Sequence, residues 1–348
     1  MAAMKSAINK EKDKTDEFLS LFSNLKEIQS ENLPEIVTTS FEENTFHFLH
    51  FYERQKQNID IKHIRRIIFS ELPELCFQKH VENAVLIVEI LRSINELRPT
   101  STPNIVLFLT MLCLTNKTLP MKIILERNEM NKASFTALTF FLHHAYKQRL
   151  TLQNRKLMDV ITFTNPILFS KLLLFSNSKN LISLLQFGLR LETFKKLCFP
   201  IHPLFLSAAE LLCWFFESER YWNVENPQRR TQHTYFIDKL ALFCRNFKVL
   251  LLSTYNPHEI ENKVSYILMK YSKISDFKEV EPYLAYFFPE SDFQTCKPPN
   301  LQHMCRYVIR SRLDEKWNLP YGVWKLSLPR ELASYLNFNI DEKGNETV

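Results

Sequence analysis

The residues best able to perform chemistry in this sequence are histidines that occur in two short clusters. His47 and His50 lie in "FHFLHF", and His143 and His144 are adjacent in "LHHAY". A protein zinc site needs further nitrogen or sulfur ligands at regular spacing, and neither cluster has them nearby. We therefore interpret these histidines as helix-surface or core side chains and predict no metal site. A metal-dependent helical hydrolase that uses them is the weakest functional alternative.

Cys305 is the second group that could react. With Cys296 and His303 it could ligate a metal, and as a thiolate it could act as a nucleophile. No histidine is recognisably placed as its base, and Cys305 falls on an apolar helical stripe, where a thiol stays protonated. We therefore expect this chain to contribute no catalytic residue and to bind no cofactor.

Glycine is too scarce for nucleotide chemistry by the common routes. The 348 residues include only three glycines, Gly188, Gly322 and Gly344, and they lie far apart. A phosphate-binding loop or a dinucleotide-binding fingerprint needs several glycines close together. The sequence therefore argues against both kinds of site.

Charge, cysteine content and hydropathy indicate an intracellular protein. The net charge is +6, and the basic residues are spread along the chain; a nucleic-acid-binding protein usually concentrates them on one face. Seven cysteines without a CxxC pattern are typical of reduced thiols in a cell interior. No segment reaches the roughly 20 apolar residues of a membrane span. We expect a cytoplasmic protein, with the nucleus as a second compartment, that binds neither nucleic acid nor a membrane.

Hydrophobic periodicity predicts an all-α protein. In "FLSLFSNLKEI", Phe18, Leu21, Phe22 and Leu25 recur with a period near 3.6. Comparable helical patterns continue through most of the chain, and no alternating run has the length of a convincing strand. Residues 1–15 are strongly charged, so we expect a disordered N-terminus before a helical body over residues 16–290.

A weak internal repeat runs through that body. Each unit has a short polar or proline-containing entry followed by an apolar helix, and spacings of roughly thirty to forty residues are typical of stacked helical pairs. The entries begin near Ser101, Ser134, Phe163 and Ile201. The alternative is a set of unrelated core helices.

The third unit, at residues 163–192, is the clearest. Leu181, Leu184 and Leu185 predict a second helix, and Gly188 follows where a left-handed C-cap is favoured. This unit resembles an ankyrin repeat, and the resemblance implies a divergent ankyrin-like helical solenoid.

A C-terminal stretch, "PPNLQHMCRYVIRSRL", carries the most specific pattern. Asn300 can cap a helix that begins after two prolines. Leu301, Cys305 and Ile309 then recur every four residues, which places them on a narrow apolar stripe. The C-terminal segment that contains this helix is too short to bury such a stripe by itself. The pattern therefore favours a helix that enters a partner's groove.

Further along, "LPYGVWKLSLPRELASYLNF" has a proline-containing turn and then another helical segment. Together, residues 296–338 resemble the SOCS box of the ankyrin repeat and SOCS box protein family. The resemblance implies a three-helix module, with residues 339–348 as a flexible tail. It also implies elongin-binding residues, namely Leu301, Met304, Cys305, Val308 and Ile309. The cullin-binding residues that it implies are Leu326, Leu328, Pro329, Leu332, Tyr335 and Leu336. Ser327 stands where the family usually has proline, so the segment that the resemblance assigns to the cullin departs from the family pattern at this position.

The resemblance implies a non-catalytic adaptor subunit of a ubiquitin ligase. Its partners would be elongin C, elongin B, cullin-5 with its RING protein, and an unknown protein substrate. The target-binding face would lie on the body between about residues 60 and 220. The alternative function is a helical scaffold that binds a protein or RNA without ubiquitin chemistry.

Overall fold

The computed structural model of the chain describes residues 2–28, 34–97, 104–114, 136–163, 176–189, 242–243, 245–255 and 300–338. In these ranges the secondary structure is helical apart from one short hairpin, so the all-α prediction is confirmed. The chain divides into two compact units. The first comprises residues 1–112 and 117–157, and the second comprises residues 113–116 and 158–348.

The described helices up to residue 147 lie almost entirely in the first unit. They are α1 (Ala2–Glu27), α2 (Pro34–Gln55), α3 (Ile61–Arg66), α4 (Leu72–Gln78), α5 (Ala84–Glu96), α6 (Asn104–Leu114) and α7 (Ala137–Lys147). A π-helical turn, Ile67–Glu71, connects α3 to α4. The hairpin pairs β1 (Thr151–Leu152) with β2 (Arg155–Lys156). Its two turn residues, Gln153 and Asn154, both have positive φ, as a two-residue turn that matches strand twist requires.

Aromatic packing fixes α1 against α2. Phe18, Phe22 and Leu25 are buried, as their period predicts, while Leu21 is half-buried. The Phe18 ring stacks on the Phe48 ring with centroids 4.9 Å apart. This apolar face makes a long helix favourable, because tertiary packing supplies most helical stability in proteins.

Residues 1–15, expected to be disordered, are helical from Ala2 onward in the structure. One anchor for this part of α1 is Thr15. Its buried hydroxyl donates to the Glu11 carbonyl and accepts the backbone N–H of Asp60 at 3.0 Å. Polar composition alone did not indicate that contact.

Helix α9 (Ser178–Gln186) in the second unit follows the predicted pattern closely. Leu181, Leu184 and Leu185 are buried, and Gly188 has a φ of 95°. The Leu189 N–H donates to the Leu184 carbonyl at 3.0 Å, and the Gly188 N–H donates to the Leu185 carbonyl at 2.9 Å. These two bonds form a Schellman motif, so the predicted C-cap is confirmed.

The remaining elements of the second unit include most of α8 (Leu157–Phe163) and a helical segment at residues 245–251. A C-terminal module follows at residues 300–338. It contains α10 (Leu301–Glu315), a 3₁₀ helix (Tyr321–Lys325) and α11 (Arg330–Leu336).

Much of the predicted repeat region lies outside the described residues. Helices α6 and α7 follow the entries near Ser101 and Ser134. The entry after Phe163, the whole entry at Ile201, the linker with Cys296 and the tail at 339–348 are outside. The ankyrin-like solenoid and the domain limits therefore remain predictions.

Candidate protein-interaction site

Helix α10 begins where the sequence predicts. The side-chain oxygen of Asn300 accepts the backbone N–H of Gln302 at 2.9 Å, and the Asn300 carbonyl accepts from Met304 at 3.0 Å. The asparagine thus satisfies a helix-terminal donor that would otherwise lack an intrahelical partner. The predicted cap is confirmed, and it fixes the direction in which the first turn projects its side chains.

One face of α10 presents apolar side chains to solvent. Leu301, Cys305 and Val308, here called the outer stripe, lie within about 60° of one another at 100° per residue. Leu301 is 70% exposed, Val308 is 52% exposed, and Cys305 is exposed as well. Met304 and Ile309 are half-buried on either side of the stripe. These side chains form an apolar strip that is exposed at Leu301, Cys305 and Val308.

The opposite face of α10 buries polar and charged side chains. His303, Arg306, Arg310 and Asp314, here called the inner face, are all buried, with Arg306 only 2% and Arg310 only 7% exposed. Burying a cation is costly unless it is paired or hydrogen-bonded. The partners of these side chains therefore decide whether α10 can dock in this orientation.

Arg310 finds its partners at the ends of two helices. Its Nη1 donates to the Leu336 carbonyl at 2.8 Å, and its Nη2 donates to the carbonyls of Gln186, at 3.2 Å, and Leu185. These carbonyls close α11 and α9. Terminal carbonyls have no intrahelical donor and carry partial negative charge, so a cation there is stabilising. Arg310 therefore joins α10 to both helix ends.

Arg306 is held by aromatic rings and by a histidine. Its guanidinium lies 4.2 Å from the Tyr335 ring centroid and 5.0 Å from that of Phe338, in cation–π geometry. Its Nη2 donates to His303 Nδ1 at 3.1 Å, and the opposite ring nitrogen of His303 donates to the Thr254 carbonyl at 2.6 Å. This network assigns the histidine proton to Nε2 and links α10 to the segment that carries Thr254.

A small apolar core holds the module together. The core consists of Leu313, Leu319, Val323, Ala333 and Leu336, with Ile309 and Leu326 packed against it. Gly322 lies where a Cβ atom would come within 2.6 Å of the Asn318 Cβ. Any larger residue there would clash with the turn between α10 and the 3₁₀ helix, so glycine is needed for the close approach to Asn318.

The predicted cullin-binding residues divide into exposed and enclosed groups. Leu328, Pro329 and Leu332 reach solvent on the loop before α11 and on its outer side. Leu326 and Tyr335 are half-buried, and Leu336 is buried in the module's core. Trp324 is also exposed, although its sequence context gave no signal for a contact role. The exposed group forms a further apolar surface on the module.

The comparison with known families gives a specific result. The SOCS box family model matches residues 297–337. The chain therefore carries a C-terminal SOCS box. No curated protein and no solved structure matches the chain. SOCS boxes bind elongin B/C and a cullin, and the proteins that contain them are generally non-catalytic adaptor subunits of ubiquitin ligases. The match covers only the box, so it leaves the predicted ankyrin repeats untested.

The SOCS box contains functional features that sequence reasoning missed. Arg306 and Arg310 lie off the apolar stripe, and their residue type gives no sign that they are buried. Their burial depends on Tyr335, Phe338 and carbonyls of α9, which are remote in sequence. One sequence signal could have indicated their burial. The two arginines are four residues apart, which places both on the side of the helix opposite the predicted partner-binding side.

The other candidate reactive groups have ordinary surroundings. His47 and His50 are exposed on α2, His143 is half-buried and His144 is buried. Among the described residues, no three histidine, cysteine, aspartate or glutamate side chains are grouped to hold a metal ion. Within those same ranges, no helix is both long and apolar enough to cross a bilayer.

Two described cysteines differ sharply from Cys305. Cys76 and Cys113 are fully buried, and burial raises the pKa of each thiol, that of Cys113 to about 12. Cys305 is exposed on the outer stripe. Of these three cysteines, Cys305 is therefore the one placed for contact with a partner.

Proposed function

We propose that this chain is the substrate-recognition subunit of an elongin B/C–cullin-5–RING ubiquitin ligase. The observation that carries the proposal is the outer stripe of a matched SOCS box, which is apolar and exposed in the chain alone. An exposed apolar surface rimmed by polar residues is typical of a protein-interaction site. Because α10 is attached through its inner face, the stripe is free to enter a partner.

Elongin C is the proposed partner of the outer stripe. Leu301 projects from the first turn of α10 and would act as the anchor in a helix-in-groove contact. Fully burying a leucine is worth roughly 1.5–3 kcal/mol. Cys305 and Val308 would continue the contact, Met304 and Ile309 would flank it, and elongin B would bind through elongin C.

Cullin-5 with its RING protein is the proposed partner of the second apolar surface. Leu328, Pro329 and Leu332 are exposed and would make the direct contacts. Leu326, Tyr335 and Leu336 would act by holding α11 in place, because they are half-buried or buried. The preference for cullin-5 rests on the resemblance of the "LSLP" segment, in which Ser327 replaces a proline.

The proposed mechanism is proximity. The body over residues 16–290 would hold a protein target, with a binding face between about residues 60 and 220. The box would bring that target to a ubiquitin-conjugating enzyme bound by the RING protein. Holding two reactants in a fixed relation raises their effective concentration, so the chain needs no catalytic residue of its own.

The proposal is tested with two matched leucine-to-aspartate variants. The full-length chain is titrated with purified elongin B/C, then with the cullin-5–RING complex. Leu301→Asp should weaken elongin binding by about a hundred-fold or more, since it removes the anchor and places a charge in an apolar groove. Leu332→Asp should bind elongin B/C normally and lose affinity for the cullin.

Point variants are preferable to deleting the box. The inner face of α10 supplies partners for carbonyls of α9, so a deletion would disturb the body as well. Normal elongin affinity of the Leu301→Asp variant, or no binding by the unmodified chain, would contradict the proposed function. The latter result would favour a scaffold without ubiquitin chemistry.

A further inference from the structure

We propose that Tyr255, in the body segment outside the SOCS box, is part of the surface that contacts elongin C. The partner would then cover the box and the body together. This inference rests on the proposed function and extends it to a residue outside the matched family segment.

Tyr255 lies beside α10 and extends its exposed surface on the side of Met304 and Tyr307. Its hydroxyl lies 3.5 Å from the Met304 sulfur, and its ring packs edge-on against the Tyr307 ring with centroids 5.5 Å apart. At 100° per residue, Met304 and Tyr307 lie about 60° and 120° from Leu301 around the helix. Tyr255 remains 37% exposed after making these contacts.

The segment that carries Tyr255 is fixed before any partner binds. The preceding residue, Thr254, is fully buried, and its carbonyl accepts the His303 ring N–H at 2.6 Å. The Thr254 hydroxyl and backbone N–H both donate to the Leu251 carbonyl. Tyr255 is therefore presented in one place relative to α10, and binding would not need to order it.

The same partner that receives Leu301 is the occupant that this geometry favours. Met304 is one turn from Leu301, and Tyr255 touches Met304. A protein interface of ordinary size covers about 800 Å² of each partner, a patch of roughly 16 Å radius, which is large enough for a protein centred near Leu301 to reach Tyr255. Tyrosine is enriched among residues that dominate binding energy. The matching surface would be apolar.

The experiment compares full-length variants in their affinity for purified elongin B/C. Tyr255→Ala should weaken binding by about ten-fold, the scale of a single well-buried aromatic contact. Tyr255→Phe keeps the aromatic ring, so its affinity for elongin B/C should fall much less than that of Tyr255→Ala. Phe46→Ala is the matched control, because Phe46 is an aromatic residue in the first unit with 36% exposure. The affinity of this variant for elongin B/C should be unchanged.

A second measurement uses the unmodified chain and does not depend on how a variant folds. Hydroxyl-radical footprinting should show oxidation of Tyr255 falling when elongin B/C binds, while oxidation of Phe46 stays constant. Weaker binding of Tyr255→Ala without protection of Tyr255 would mean that the residue acts only by packing Met304, which overturns the inference.

The failure of this inference is distinguishable from failure of the proposed function. If Leu301→Asp loses elongin binding while Tyr255→Ala binds normally and Tyr255 stays reactive, the inference is wrong and the adaptor function stands. If the unmodified chain does not bind elongin B/C, both are wrong.

Discussion

The two faces of α10 differ in a way that reverses the usual pattern of a docked helix. On the outer face, Leu301 and Val308 are apolar and exposed, whereas on the inner face Arg306 and Arg310 are charged and buried. An ordinary amphipathic helix places its apolar stripe toward the core. In this chain, the residues that attach α10 to the body therefore differ from the residues that α10 presents to a partner.

The physical basis of the inner face is the neutralisation of buried charge. Arg310 is stabilised by carbonyls at two helix ends, and Arg306 by two aromatic rings and His303. Such networks are directional, so they fix the rotation of α10 more narrowly than apolar packing alone does. Substitutions on the outer face should consequently change binding, and substitutions on the inner face should change stability.

Thiol reactivity should give the largest contrast between an exposed and a buried position. In the folded chain we expect Cys305 to be alkylated at least about a thousand-fold faster than Cys113, because burial limits access and lowers the thiolate fraction of Cys113 by roughly that factor. Burial raises the pKa of Cys113 from 9.0 to about 12. Peptide mass spectrometry after timed alkylation measures both rates.

Elongin B/C provides the control for that experiment. Its binding should protect Cys305 and leave the slow rate of Cys113 unchanged. Similar rates for the two cysteines in the free, folded chain would contradict the exposure of the outer stripe.

Replacing one buried arginine should produce the next largest effect. Arg310→Met should lower the free energy of unfolding by about 3 kcal/mol, because carbonyls at two helix ends lose a charged donor. Arg310→Lys should recover only part of this loss, since a point charge cannot reproduce the planar set of donors. Thermal and urea unfolding of the full-length chain measure both changes.

The matched control lies on the same helix. Arg312 is exposed and pairs with Glu315 at 3.0 Å, so Arg312→Met should change the free energy of unfolding by at most about 0.5 kcal/mol. Equal effects of the Arg310 and Arg312 variants would show that the inner face does not hold α10 to the body.

The sequence predicts the outer face better than the inner one. The spacing of Leu301, Cys305 and Ile309 identified the apolar side of α10, yet a four-residue step advances about 400°, so each step drifts by about 40°. Ile309 is therefore turned toward the module's core, and Val308 takes the exposed place. The drift explains why a sequence motif and an exposed stripe share some residues and differ in others.

Interactions between neighbours in sequence were predictable, and those between distant residues were not. Gly188 and Asn300 were assigned their capping roles because both caps use backbone groups within a few residues. Arg310 reaches carbonyls 124 and 125 residues earlier in the chain. Helical periodicity relates only residues within a few turns, so it places Arg310 off the stripe and gives no measure of its contacts with α9.

Asn300 offers the smallest and sharpest test, because it caps the turn from which Leu301 projects. Asn300→Ala should cost about 1 kcal/mol of stability, the usual value for a lost N-cap. It should also weaken elongin binding by up to about five-fold, since a frayed first turn must be ordered again on binding. Asn300→Asp keeps the accepting oxygen and adds a favourable charge at the helix N-terminus. The stability and the elongin affinity of this variant should therefore both match those of the unmodified chain. If Asn300→Ala lost stability while elongin affinity stayed unchanged, the anchor would have to lie further along α10 than Leu301.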